Sequence, residues 1–243
     1  MDRRTPLHCE PIARLTSSGL SLRAVEVLAG GPSAVRFAAE GRLLELDTAV
    51  AESCLGLWLP AGVAIHLNLP ALGDGRALGC QRYVDALGRL ALARPLVLEI
   101  SERTAPAGFV EAFQIASAVG AALVVDDLAP GNSAWRWLRA QTLGGGVAEM
   151  PFGGKIDCAW FQHSAGDPAR WLQFCEQLRD LESLMSGLTV EGVERLDHLS
   201  ALRRWVGDGA GLDVQGYAIN DLFEGALTGG GASWSVSDMA AAI

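Results

Sequence analysis

The chain has 243 residues, a formal net charge of −9 and five cysteines. Half of its residues are hydrophobic, yet no run of about 20 apolar residues could span a bilayer. The acidic balance disfavours a general nucleic-acid-binding or membrane-binding surface, because such surfaces need clustered Lys and Arg. The scattered cysteines contain no C-x-x-C pair and indicate neither a disulfide framework nor a zinc-thiolate site. Because the N-terminus lacks an apolar signal-peptide core, we expect a cytoplasmic protein.

Short apolar runs alternate along the chain with longer segments of helical periodicity. The predicted strands are 24–28, 63–69, 96–100, 121–125, 188–190 and 214–217. The predicted helices are 43–57, 76–92, 109–119, 169–184 and 196–206. Strands bracketed by helices imply parallel pairing through right-handed crossovers. The chain length is typical of an α/β fold of the (β/α)₈ barrel type, with about 250 residues, although periodicity leaves a doubly wound open sheet as an alternative.

Three glycine clusters punctuate the chain. Gly144 to Gly146 and the pair Gly153-Gly154 predict loops near its middle. Gly229 to Gly231 precedes a run of small residues that ends the sequence. We therefore predict one barrel domain over residues 1–228 and a small-residue C-terminal tail over residues 229–243.

Carboxylate and amide side chains recur where the predicted strands end. They are Glu26, Asn68, Glu99, Asp126, Asp127 and Glu191. Each alone could be a helix cap or an Asx turn. In a parallel barrel, however, the carboxyl ends of all strands meet at one rim, where clustered carboxylates repel one another unless cations are present. All-oxygen ligands favour Mg²⁺, Mn²⁺ or Ca²⁺, so the repetition at five strand ends predicts a divalent-metal site.

Eight short motifs occur in a fixed order along the chain. They are Pro11-Ile12, Glu26-Val27-Leu28, Leu67-Asn68-Leu69, Glu99-Ile100-Ser101-Glu102, Asp126-Asp127, Lys155-Ile156-Asp157, Glu191-Gly192-Val193-Glu194 and Gln215-Gly216-Tyr217. In this order the chain resembles the EAL family, whose corresponding motifs are Q-P-I, E-A-L, V-N-L, E-I/L-T-E, D-D, K-I-D, E-G-V-E and Q-G-Y. The resemblance implies a TIM-type barrel that hydrolyses cyclic di-GMP to linear pGpG, using two Mg²⁺ or Mn²⁺ ions and an activated water.

The resemblance also implies roles for single residues. The first metal would be held by Glu26, Asn68, Glu99 and Asp126, and the second by Asp126, Asp127 and Glu191. The catalytic residues would be Lys155, Glu191 and Asp157, with Lys155 beside the attacking water and Asp157 supporting Lys155. The substrate contacts would be Leu28, Glu194 and Gln215, and Glu102 would brace the loop after Asp127. Besides cyclic di-GMP, a second copy of the chain or a regulatory protein is the expected partner.

Some positions depart from the family pattern. Gly30 stands where the family has an arginine that binds a substrate phosphate, a contact worth about 1.5–3 kcal/mol. Arg36 is the candidate substitute. Pro130 alters the loop after Asp127, and Glu10 replaces the opening Gln. Two alternatives therefore accompany the phosphodiesterase hypothesis: a non-catalytic cyclic di-GMP receptor or protein-interaction module, and an unrelated metal-dependent barrel hydrolase.

Overall fold

The computed structural model describes residues 7–30, 35–37, 39–69, 72, 74–131, 152–207, 209, 211–227 and 233–235. Their strands are β1 (Leu7–Thr16), β2 (Gly19–Ala29), β3 (Ala64–Asn68), β4 (Leu96–Ser101), β5 (Ala122–Leu128), β6 (Phe152–Ile156), β7 (Gly187–Val190), β8 (Leu212–Gln215) and β9 (Ser233–Ser235). Their helices are α1 (Leu43–Cys54), α2 (Arg76–Gly79), α3 (Gln81–Ala93), α4 (Pro106–Val119), α5 (Cys158–Ala165), α6 (Pro168–Glu182), α7 (Leu196–Val206) and α8 (Tyr217–Leu227). Within these ranges, no helix is long and apolar enough to cross a membrane.

The chain forms two compact units. The first comprises Met1–Glu10 and Val25–Val124, and the second comprises Pro11–Ala24 and Val125–Ile243. In the first unit β3 lies between β2 and β4, and it pairs with β4 in parallel with Asn68 opposite Glu99. The two polar strand ends therefore lie side by side, as parallel pairing requires.

Helical periodicity explains how the helices of the first unit bury their apolar faces. In α3 the buried side chains are Tyr83, Ala86, Leu87 and Leu90, which follow the i, i+3, i+4, i+7 spacing of one helix face. Helix α3 also contacts its neighbours α1 and α4. Helix α4 begins at Pro106, where the missing N–H costs nothing because a first-turn N–H has no intrahelical partner.

In the second unit, successive strands are neighbours in the order β5, β6, β7, β8 and β1. The β6, β7 and β8 pairings are parallel, with Lys155 opposite Thr189 and Thr189 opposite Asp213. Strand β1 joins β8 in antiparallel register, with Arg14 opposite Asp213. These two side chains form an ion pair at 2.7 Å. The pairing brings the carboxyl ends of β6, β7 and β8 to one edge of this unit.

The predicted alternation of strands and helices is confirmed, with three corrections. The pair Gly153-Gly154 was predicted to be a loop, but it lies inside β6. A Cβ atom on Gly154 would lie 2.5 Å from Met185 Sδ and 2.6 Å from Leu128 Cδ1, so the strand uses glycine for close packing. The predicted helix 76–92 is two helices that meet at Cys80, and Tyr217 begins α8 instead of ending a strand. The predicted loop at Gly144 to Gly146 falls outside the described residues.

The first unit contains a small, partly open cavity next to the carboxyl group of Asp47. The cavity measures about 130 Å³, and its lining includes Leu28, Asp47, Asn68 and Tyr83. Among the described residues Oδ2 of Asp47 is buried and has no hydrogen-bond partner. Burial raises the pKa of Asp47 from 3.8 to about 7, because the charged form loses its hydration.

Filling the space above Gly154 should destabilise the fold. We expect Gly154→Val to lower the free energy of unfolding by about 1–3 kcal/mol, because Met185 and Leu128 must move aside. Urea denaturation measures this difference. Gly187→Val is the matched control, since a Cβ atom at Gly187 on the adjacent strand meets nothing within 4 Å. Equal stabilities of the two variants would contradict the close-packing explanation of β6.

Asp47 should make stability depend on pH. Its pKa is raised to about 7 in the folded protein, so the free energy of unfolding falls as pH rises between about 4 and 7. We expect Asp47→Asn to lack this pH-dependent decrease in the free energy of unfolding. The difference between the urea midpoints at about pH 5 and pH 8 measures the decrease. We expect the control Asp180→Asn, on the exposed face of α6, to lose as much stability as wild type over that interval. If Asp47→Asn loses as much stability as wild type over that interval, burial of the Asp47 carboxyl group does not cause the pH dependence.

Candidate functional site

The second unit gathers four charged side chains at the ends of adjacent strands. Asp126 and Asp127 lie on β5, Lys155 lies on β6, and Glu191 directly follows β7. Backbone hydrogen bonds align these ends: Asp157 N–H donates to Leu128 O at 3.0 Å, and Glu191 N–H donates to Ile156 O at 3.2 Å. The alignment of these strand ends therefore brings the four side chains close together.

The three carboxylates of this cluster have a spacing that fits a divalent cation. One oxygen each of Asp126, Asp127 and Glu191 lies within 4.8 Å of the other two. A small octahedral cation with metal–oxygen bonds of about 2.0–2.1 Å holds its ligands roughly 3–4 Å apart. Modest side-chain adjustment would suffice, and hard carboxylate oxygens are the donors that Mg²⁺ and Mn²⁺ prefer. Donor type and spacing both fit such an ion.

Lys155 is the cationic member of the cluster. Its Nζ lies 2.8 Å from Glu191 Oε1 and 3.4 Å from Asp126 Oδ1, and its side chain is only 1% exposed. An ammonium group so deeply buried needs charged partners, because its lost hydration costs several kcal/mol. The carboxylates in turn gain a fixed positive charge that offsets their mutual repulsion.

Asp127 has an unusual backbone conformation. Its φ is 56°, and among the described residues it is the one non-glycine residue with positive φ. Most L-residues avoid this left-handed region, although Asp tolerates it better than others. Backbone strain beside a charged cluster is typical of functional sites. Here the unusual conformation occurs within β5, at the residue directly after Asp126.

Two glycine-containing loops of the second unit are in close contact beside Glu191. Val193 N–H donates to Gln215 O at 3.0 Å, and Ala218 N–H donates to Val193 O at 3.0 Å. Gly216 has φ 143°, and a Cβ atom there would lie 2.5 Å from Val193 N. No larger residue fits this approach. The contact fixes Gln215, which is 4% exposed, next to the loop that bears the solvent-exposed Glu194.

The neighbourhood of the cluster is negatively charged. Burial raises the pKa of the Cys158 thiol, and the charges of Glu194, Asp157, Glu191 and Asp127 raise it further. A thiol in this position resists ionisation because a thiolate would meet several carboxylates. An anionic ligand would experience the same repulsion unless cations neutralise it.

Asp157 has a structural task. Its Oδ1 accepts a hydrogen bond from Trp160 N–H at 2.7 Å and thereby caps α5. Its support of Lys155, which the motif resemblance implies, stays a prediction. The cap nonetheless fixes the turn that follows Lys155, and thereby the end of β6.

The first unit brings together the other predicted metal ligands. Asn68 Nδ2 donates to Glu26 Oε1 at 2.8 Å, which leaves the amide oxygen of Asn68 as its ligand atom. Glu99 is 1% exposed, and its Oε1 lies 2.7 Å from Nδ1 of His66. This second group, Glu26, Asn68 and Glu99, also offers the oxygen donors that a hard divalent cation prefers.

Sequence reasoning missed His66 and Asp47. Strand alternation could have found His66, because it lies two residues before Asn68 and therefore on the same face of β3. Helical periodicity could have found Asp47, since it shares the apolar face of α1 with Leu46, Val50 and Cys54, which are buried. A carboxyl group at such a position is a candidate for function.

The remaining predicted positions have local partners. Glu102 accepts hydrogen bonds from Ser101 Oγ at 2.9 Å and from Arg103 Nε at 2.9 Å, and its bracing of the loop after Asp127 stays a prediction. Arg36, the candidate substitute for the arginine missing at Gly30, forms an exposed ion pair with Glu40 at 2.6 Å.

Comparison with known proteins gives matches in structure. No protein-family model and no curated protein matches this chain. The PaMucR phosphodiesterase in complex with c-di-GMP is 23% identical with a TM-score of 0.66, over 89% of this chain and 91% of that chain. The EAL enzyme Bd1971, in its form bound to cAMP and cyclic di-GMP, is 16% identical with a TM-score of 0.64, over 90% of this chain and 62% of that chain.

The FimX EAL domain from Pseudomonas aeruginosa, bound to c-di-GMP, is a further match. It is 16% identical with a TM-score of 0.63, over 87% of this chain and 88% of that chain. At such identities the likeness is one of fold. The barrel prediction is confirmed: the chain has the TIM-type (β/α)₈ fold of EAL domains.

Proposed function

We propose that the chain is a metal-dependent phosphodiesterase that hydrolyses cyclic di-GMP to linear pGpG. The observation that supports this most is the charged cluster of the second unit, in which one oxygen each of three carboxylates lies within 4.8 Å of the other two, beside the buried ammonium of Lys155. A protein that only bound the nucleotide would have little use for so many carboxylates near a dianion.

The carboxylates of the cluster would hold Mg²⁺ or Mn²⁺. When bound, the divalent cations would polarise the scissile phosphodiester and lower the pKa of the attacking water. Asp126, Asp127 and Glu191 would supply ligand oxygens in the second unit, and Glu26, Asn68 and Glu99 are the proposed ligands in the first unit. All six positions keep residues with ligand oxygens, which favours catalysis over a purely structural role.

Lys155 would act on the reacting oxygens. Its ammonium, held by Glu191 at 2.8 Å and by Asp126 at 3.4 Å, has three N–H donors in a fixed position. One of them would donate to the attacking water or to a phosphoryl oxygen as negative charge develops there. In a buried site such preorganised donors are strong because they need no reorganisation during the reaction.

The cavity of the first unit would receive part of the nucleotide. Leu28, a predicted substrate contact, lines this cavity together with Asp47. At about 130 Å³ it is close in size to a cavity of roughly 150 Å³ that can hold one aromatic ring. Oδ2 of Asp47 would accept a hydrogen bond from an N–H group at the edge of a guanine base, which carries such donors.

A second candidate is a non-catalytic cyclic di-GMP receptor. It is favoured by Gly30, which lacks the phosphate-binding guanidinium of the family, and by Arg36, which is already paired with Glu40. Loss of one charge-assisted contact weakens binding by about one to two decades and leaves the metal ligands in place. The absence of an arginine at Gly30 therefore affects the affinity for cyclic di-GMP more than the hydrolytic step. The cytoplasmic location and a dimer or regulatory protein partner stay predictions.

The catalytic proposal predicts a strong effect of Glu191→Gln. The wild-type chain with Mn²⁺ or Mg²⁺ should convert cyclic di-GMP to pGpG, and EDTA should stop the reaction. Glu191→Gln removes one charge from the cluster and should slow product formation by about 100- to 1,000-fold. Chromatography of pGpG measures the rate. Glu176→Gln, on the exposed face of α6, is the matched control and should react as wild type does.

The two candidates differ in the outcome of that assay. Measurable binding of cyclic di-GMP without pGpG at high protein concentration would reject the phosphodiesterase in favour of the receptor. Unchanged turnover in Glu191→Gln would reject the proposed ligand set.

The cavity assignment predicts that Asp47→Asn weakens nucleotide binding. At about pH 8, where the carboxyl group is ionised, the amide keeps one oxygen but loses the charge, so we expect the dissociation constant for cyclic di-GMP to rise by about tenfold. Calorimetry with Ca²⁺ in place of the catalytic cation measures binding without turnover. Asp180→Asn again serves as the control, and an unchanged affinity of Asp47→Asn would show that the base does not occupy this cavity.

A further inference from the structure

His66 is a buried residue of the first unit to which the motifs give no role. It lies on β3, and its Nδ1 is 2.7 Å from Glu99 Oε1 on the adjacent strand β4. His66 is 8% exposed and Glu99 is 1% exposed, so bulk water does not compete strongly for this contact. Strand alternation puts His66 on the same face as Asn68, one step back from the strand end.

The chemistry of the pair fixes the position of the imidazole proton. A carboxylate that binds a cation is ionised and can only accept hydrogen bonds, so in that state Nδ1 carries the proton and donates a hydrogen bond to Oε1. A buried carboxylate without such donors would lose its hydration without compensation. The bond also restricts the rotation of the Glu99 carboxylate, because the donated hydrogen prefers to lie near the plane of the carboxylate group.

The same strand holds the other glutamate of this group. Asn68 Nδ2 donates to Glu26 Oε1 at 2.8 Å. Two side chains of β3, His66 and Asn68, therefore each hold one oxygen of a predicted metal-binding glutamate. This repeated arrangement indicates that β3 orients both carboxylates in a defined way.

We propose that His66 is a positioning and specificity-determining residue for the predicted metal ligand Glu99. By occupying one lone pair of Oε1 it favours coordination of a cation through Oε2. Mg²⁺ and Mn²⁺ bind one oxygen of a carboxylate in an octahedral arrangement, whereas Ca²⁺ readily takes both oxygens and more ligands. His66 thereby favours Mn²⁺ and Mg²⁺ over Ca²⁺. This inference rests on the metal-dependent function proposed above.

The test compares three variants of the full chain. His66→Leu removes the donor and keeps an apolar side chain of similar bulk. His66→Asn keeps an N–H donor the same number of bonds from the backbone as Nδ1, and His66→Gln moves that donor one bond further out. Affinity for Mn²⁺ is measured from the electron paramagnetic resonance of free Mn²⁺, and affinity for Ca²⁺ by calorimetry.

The expected results separate positioning from simple packing. His66→Leu and His66→Gln should bind Mn²⁺ about 10- to 100-fold more weakly than wild type and should lose much less affinity for Ca²⁺. His66→Asn should retain the wild-type ratio of Mn²⁺ to Ca²⁺ affinity. If His66→Leu fails to fold, the comparison of Asn with Gln provides the same test.

Two outcomes would overturn the inference. One is a folded His66→Leu or His66→Gln variant with wild-type affinity for Mn²⁺, and the other is an equal loss for Mn²⁺ and Ca²⁺. Failure of the wider function gives a different result. A wild-type chain that makes no pGpG but shows His66-dependent Mn²⁺ affinity would reject hydrolysis and keep this inference. A wild-type chain that hydrolyses cyclic di-GMP, but whose metal preference does not depend on His66, would reject this inference and keep the proposed function.

Discussion

The ammonium of Lys155 is the charge on which the second unit depends. It is buried at the end of β6, 2.8 Å from Glu191 and 3.4 Å from Asp126. A lysine so deeply buried needs these carboxylates to offset its lost hydration, and its ammonium in turn offsets the repulsion between them. The strand register, which aligns the ends of β5, β6 and β7, is what brings these charges to hydrogen-bonding distance. Chemistry and folding are therefore coupled through one ion-paired cluster.

The carboxylates of the two units have different kinds of partner. In the second unit a full positive charge lies against Asp126 and Glu191, and a third carboxylate, that of Asp127, lies beside them on a residue with positive φ. In the first unit, side-chain nitrogens of β3 hold Glu26 and Glu99. A cation bound in the second unit would lie beside the ammonium of Lys155. A cation bound in the first unit would be coordinated by carboxylates whose orientation His66 and Asn68 already fix. Both arrangements limit reorganisation when a ligand arrives.

Much of the fold and part of the site follow from the sequence. Parallel strands place their carboxyl ends together, so the recurrence of polar residues after apolar runs predicted the grouping of Asp126, Asp127 and Glu191. The same reasoning failed for Gly153-Gly154, because glycine in a strand is selected by the closeness of neighbouring side chains, which a single sequence does not reveal. It also missed His66 and Asp47. Their importance arises from burial and from partners distant in sequence, and no local motif records either.

The location of a bound cation shows directly whether the carboxylates of the second unit form a metal site. Crystals grown with Mn²⁺ can be measured at the manganese absorption edge, where anomalous scattering identifies the ion independently of any reaction. We expect a peak about 2.1–2.2 Å from oxygens of Asp126, Asp127 and Glu191, with Lys155 retained beside it. A structure at saturating Mn²⁺ with no peak at these carboxylates, and with the Lys155 ion pairs unchanged, would contradict it.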